Sequence, residues 1–149
     1  MENTTIISIS VERVREQILA RSAMRHHLGA GRPQMLHGDH SAGVDLLVRS
    51  AFGPLCMAML PCVADCNVGE DTDILTAELR LPEGMPAEGV RRMMEHALMT
   101  HVLAEVYAGV DPDAAEVFRA EWRSLTGSLH SAAAGRTEAC EARIRPCWY

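Results

Sequence analysis

Lysine is missing from the 149 residues, so all 14 basic side chains are arginine, and 20 carboxylates outnumber them for a net charge of −6. That balance argues against sequence-specific nucleic-acid binding, which depends on neutralising several phosphates. Aromatics are scarce too, six against nine methionines, which points to a core of flexible aliphatic chains rather than stacked rings. Long apolar runs are absent. The longest, Leu55 to Ala64, spans ten residues and is interrupted by Pro61, whereas a membrane helix needs about twenty. No membrane association is expected, and the run reads as a buried helix. The opening "MENTTIISIS" lacks the basic start and apolar stretch of a secretory signal, so the chain is expected to be cytoplasmic when made. No Cys-x-x-Cys occurs, and five cysteines, an odd number, read as free buried thiols. Phosphate-cradling glycine loops, a dinucleotide fingerprint, a nucleophile elbow and internal repeats are likewise missing.

What is present is an orderly series of amphipathic segments. "TTIISIS" is a β-branched run suited to a strand. Ser10 can then cap a helix reaching Leu28, with Val11, Val14 and Ile18 on one face. A loop of roughly fifteen residues, Gly29 to Gly43, follows without a pattern, and loops that long tend to be functional or mobile. The second helix starts near Ser41 and carries Val44, Leu47, Val48, Phe52, Leu55 and Met59, an apolar face broad enough to predict the central helix. Pro61 should stop or kink it, with a turn through Asn67 and Gly69.

"DILTAELRL" alternates cleanly and reads as a half-buried strand paired with the N-terminal one. Pro86 opens a third helix with Val90, Met94, Leu98, Val102 and Val106 in a stripe. Asp111 as N-cap and Pro112 at the first helical position open a fourth, whose core stripe is Phe118, Trp122, Leu125 and Leu129. These parts predict a mainly helical α+β domain over residues 1–136, four helices packed on a two-stranded β-ribbon, and an extended C-terminal arm over 137–149.

Chemistry-bearing residues are few. Asp39, His40 and Ser41 hold the residue types of a hydrolase triad, but neighbouring side chains diverge, and a turn with a helix cap accounts for them. His96 and His101 fall on different helix faces, with His101 at the edge of the core. Neither "DTD" at Asp71 nor "DPD" at Asp111 has the glycine and closing glutamate of a calcium loop. Arg91 with Arg92, and Arg143 with Arg145, are the close basic pairs. One chemical alternative stays open: a small metal- or thiol-dependent enzyme. In it His37 and His40 offer imidazoles, and Cys62 and Cys66 offer thiolates one helical turn apart if the helix outlasts Pro61. The favoured expectation is no catalytic, cofactor or metal site. The tail "RIRPCWY" instead combines cationic forks with Trp148 and Tyr149, side chains suited to filling pockets on a partner.

The order of these parts resembles a group of small structural proteins encoded in prophages of gut Bacteroidetes. The likeness is carried by "DILTAELRLP" ahead of "EGVRRMMEHALMTHVLAEVY", by "DPDAAEVFRAEW" and by the extended "RIRPCWY". It implies a non-enzymatic virion protein of head-tail connector or tail-completion type, forming homo-oligomers and contacting portal or tail proteins. Arg143, Arg145, Pro146, Trp148 and Tyr149 would be its contact residues, and the virion its final location.

Overall fold

The computed structural model describes residues 4–28, 36–60, 62–67 and 72–134. Strand β1 (Thr4–Ser10) runs directly into helix α1 (Val11–Leu28), and the Ser10 hydroxyl accepts the Arg13 amide at 3.4 Å, as a cap should. A short turn at Gly38–His40 leads into α2 (Ser41–Ala58). Strands β2 (Val63–Asn67) and β3 (Ile74–Arg80) precede α3 (Ala87–Tyr107) and α4 (Pro112–Ala133). The fold is mainly helical with α+β character, four helices covering one face of an antiparallel sheet. No helix among the described residues is long and apolar enough to cross a membrane.

The pairing of the two expected strands holds along their full length, from Thr4 opposite Arg80 to Ser10 opposite Ile74. This register places Ile7, Ile9, Leu75, Ala77 and Leu79 against the helices, all of them buried. The ribbon, however, has a third strand. Sheet order is β1-β3-β2, with β2 antiparallel to β3. The run Leu55 to Ala64, expected as a buried helix that stops or kinks at Pro61, leaves the helix at Ala58, and the chain reverses through Met59 and Leu60 before Val63 begins the new strand; Asn67, expected in a turn, is the last residue of that strand. A bulge between Val63 and Asp65 explains why β2 escaped notice: the extra residue breaks the two-residue alternation that marks a strand. Pro61, Gly69 and the domain limit at residue 136 lie outside the described residues.

The central helix is α3, not α2. It packs against the other three helices and against β1, and Met94, Ala97, Leu98, Val102 and Leu103 are fully buried. On α2 the side chains of Leu46 and Met57 face solvent; helical position, not the sum of apolar letters, decides which face is covered. Asp111 caps α4 as its sequence implied, accepting the Ala114 amide at 3.1 Å, with Pro112 next in line.

Ion pairs lace the helices together. Arg15 of α1 meets Asp45 of α2 at 2.8 Å, and Arg25 meets Asp111 at 3.2 Å. Arg21 grips Glu121 of α4 with two bonds of 3.1 and 2.8 Å, while His96 of α3 places Nε2 2.7 Å from the same carboxylate. Burial alone would raise the Glu121 pKa, but the Arg21 and His96 contacts outweigh it and hold the group below its ordinary 4.5. A lowered folded pKa stabilises the protein above the unfolded value and loses that contribution as pH falls through the folded one. Urea midpoints taken from neutral pH down past 4.5 should therefore decline more steeply in the wild type than in Glu121→Gln. At neutral pH the variant should be weaker by about 1 kcal/mol.

Candidate functional site

The helices leave the other face of the sheet open. Ile6, Ser8, Ile74, Thr76 and Glu78 point outward there, and Ile6 is 70% exposed. A shallow groove of about 420 Å³ runs across this face, between Ile6, Asp65, Asn67, Thr76 and Glu78. Asp65 and Glu78 stand directly opposite each other, a like-charge placement that costs stability in a sheet.

The two sheet edges differ sharply. Strand β2 is five residues long, bulged, and bears Asp65, three features that discourage further pairing. Strand β1 is seven residues long, free of charge and proline, and unpaired on its outer side among the described residues. Antiparallel geometry identifies which of its groups are free. The Arg80 amide donates to Cys62, so even-numbered residues of β3 turn toward β2 and odd-numbered ones toward β1. In β1 it is then Thr5, Ile7 and Ile9 that exchange bonds with β3, while Thr4, Ile6 and Ser8 aim amide and carbonyl outward. This is a template ready for one more strand.

A second groove, of about 260 Å³, lies between α3 and α4 and is lined by His101, Glu105, Arg119, Trp122 and Arg123. His101 packs against Trp122 with ring centres 4.7 Å apart. Burial pushes its pKa below the ordinary histidine value despite the pull of Glu105. This is the edge-of-core histidine its spacing implied. Both arginines are drawn to Glu116, at 3.6 and 2.6 Å.

The residues singled out for chemistry are not brought together. His37 and His40 sit in the turn before α2 with ring centres 5.7 Å apart, and His40 Nδ1 accepts the His37 amide at 3.0 Å, which occupies one of the four imidazole nitrogens. Cys62 is buried in the reversal after α2, and its pKa is raised by that burial; Cys66 is on β2, so the two are not a helical turn apart. Among the described residues no group of three or more His, Cys, Asp or Glu could hold a metal ion. Arg91 and Arg92 both bond Glu88, whose pKa their hydrogen bonds pull down to about 2, and Arg91 also bonds Glu95. Arg143, Arg145, Pro146, Trp148 and Tyr149 lie outside the described residues. Comparison with protein-family models, with curated proteins and with solved structures finds no match in any of the three.

Proposed function

We propose that this chain is a non-enzymatic assembly subunit whose copies join through the open edge of β1. The contrast between the two edges carries the reading: one is short, kinked and charged, the other long, uncharged and exposed. Proteins that remain monomeric generally blunt both. Two β1 strands pairing antiparallel about a two-fold axis would extend the sheet to six strands and satisfy every outward amide and carbonyl. Exposed Ile6 would gain apolar contact across the junction. The resemblance to small prophage structural proteins suggests the setting, a head-tail connector or tail-completion subunit of a virion with portal or tail proteins as further partners. In that setting the arm from Arg143 to Tyr149 supplies a second contact.

Ser8→Pro tests the edge. It removes one outward amide without touching the β1–β3 bonds, in a conformation an edge strand tolerates. Light scattering coupled to size-exclusion chromatography should show wild-type oligomers and a folded monomeric variant. Deleting the last seven residues should also abolish assembly and leave the monomer folded. A wild type that stays monomeric at high concentration would sink the edge, and unchanged oligomerisation after the deletion would sink the arm.

A further inference from the structure

The backbone of β1 restricts how a second copy can seat on its open edge. Thr4, Ile6 and Ser8 turn both amide and carbonyl away from β3. Ser10 has the same parity but stands at the N-cap of α1, where its carbonyl accepts the first helical bond and its hydroxyl the Arg13 amide. Only the first three are fully free to bond a partner strand. In an antiparallel pair about a two-fold axis the numbers of opposed residues add to a constant, so the axis is named by the residue that meets its own copy. An axis at Ile7 sets Thr4 against Ser10, whose carbonyl is already in use, and an axis at Thr5 sets Ser8 against residue 2, outside β1. Both also place Ile6 opposite a hydroxyl side chain. An axis at Ile6 opposes Thr4 to Ser8 and engages all three residues.

We infer that two copies pair along β1 with the two-fold axis at Ile6, an interface that rests on the assembly proposed above and fixes its register. Each opposed pair exchanges two backbone bonds. On the open face the exposed Ile6 side chains cover each other, and Thr4 and Ser8 bring their hydroxyls within bonding reach. No charge is buried in the seam, because Thr4 to Ser10 carries none. Glu78 lies directly opposite Ile6, and Asp65 opposite Glu78, so one row crosses the joined sheet with isoleucines at its centre and carboxylates at its ends. The two Glu78 strands stand about 14 Å apart in that row, beyond a physiological screening length of about 8 Å. Both outer edges are then β2, too short, bulged and charged to accept a third copy. The seam closes at two.

Single-cysteine crosslinking reads the axis. Ile6→Cys, mildly oxidised at a concentration where the wild type assembles, should yield chains joined through residue 6, since opposed residues of such a pair have Cα atoms about 5.5 Å apart, inside the disulfide range. Thr4→Cys alone and Ser8→Cys alone should give no such link, because each lies on the order of 13 Å along the strands from its own copy. An equal mixture of these two should link residue 4 to residue 8, and it reads the same axis with Ile6 intact. Trypsin releases residues 1–13 as a peptide without any of the five native cysteines, so this peptide linked to a second copy of itself is unambiguous. Failure of the register and failure of assembly look different. Residue 4 or residue 8 linking to its own copy, or no link in either design while light scattering shows oligomers that Ser8→Pro disperses, would overturn the axis and leave the edge standing. A wild type that stays monomeric would overturn both.

Discussion

Leu98→Ala is expected to lower stability by about 4 kcal/mol and the thermal midpoint by on the order of 10 °C. Leu98 sits on α3, fully buried in the core that this helix shares with the other three helices and β1. A truncation there leaves a hole that no single helix can shift to fill, which places the cost toward the upper part of the usual range for leucine. Leu46→Ala on α2 offers the contrast. Leu46 is also a leucine in mid-helix, but it is 57% exposed, and its loss should cost less than about 0.5 kcal/mol. Urea denaturation of the two variants measures the difference directly. Equal losses would mean that α2, not α3, is the axis of the bundle.

The second large effect is expected at Glu95, whose side chain is 3% exposed on the same helix. It bonds Arg91 one turn earlier and lies 3.6 Å from Arg13 of α1. Glu95→Ala should cost about 3 kcal/mol, because it both empties a packed position and strands part of Arg91's charge. The loss stays short of the highest values for broken buried pairs. Arg91 keeps Glu88, and Arg13 is half exposed and can rehydrate. Glu95→Met, similar in volume and apolar, should recover most of the loss, since an ion pair taken out of water gains little over good packing. Chemical denaturation of the three proteins at neutral pH decides this. A methionine variant as weak as the alanine one would show that the charge, not the volume, is what the core requires.

Much of this architecture was legible beforehand, for reasons that differ by element. Strand β3 declared itself because its burial follows a strict two-residue period, and its partner because β-branched residues crowd Thr4 to Ile9. The start of α4 was legible from Asp111 and Pro112, since capping chemistry is local. The free edge of β1 was visible only as an option. Its freedom depends on β2 taking the other side of β3, and β2 was hidden by its bulge. One inserted residue reverses which way a strand's side chains point, and no periodicity records it. His37, His40, Cys62 and Cys66 make a ligand set only if the helix outlasts Pro61, and residues 63–67 are strand instead.

The sequence by itself determined the helical stripes, the cap at Asp111, the inward face of β3 and the acidic, lysine-free surface chemistry. Each depends on residues within a turn or two of one another, where backbone geometry alone sets the spacing. Tertiary structure decided the rest: that α3 is the axis, that a third strand protects one sheet edge and leaves β1 open, and that Glu95 finds Arg13 across helices. Those outcomes turn on which elements compete for the same buried surface. That competition is settled by the packing of the whole chain and by no local stretch of it.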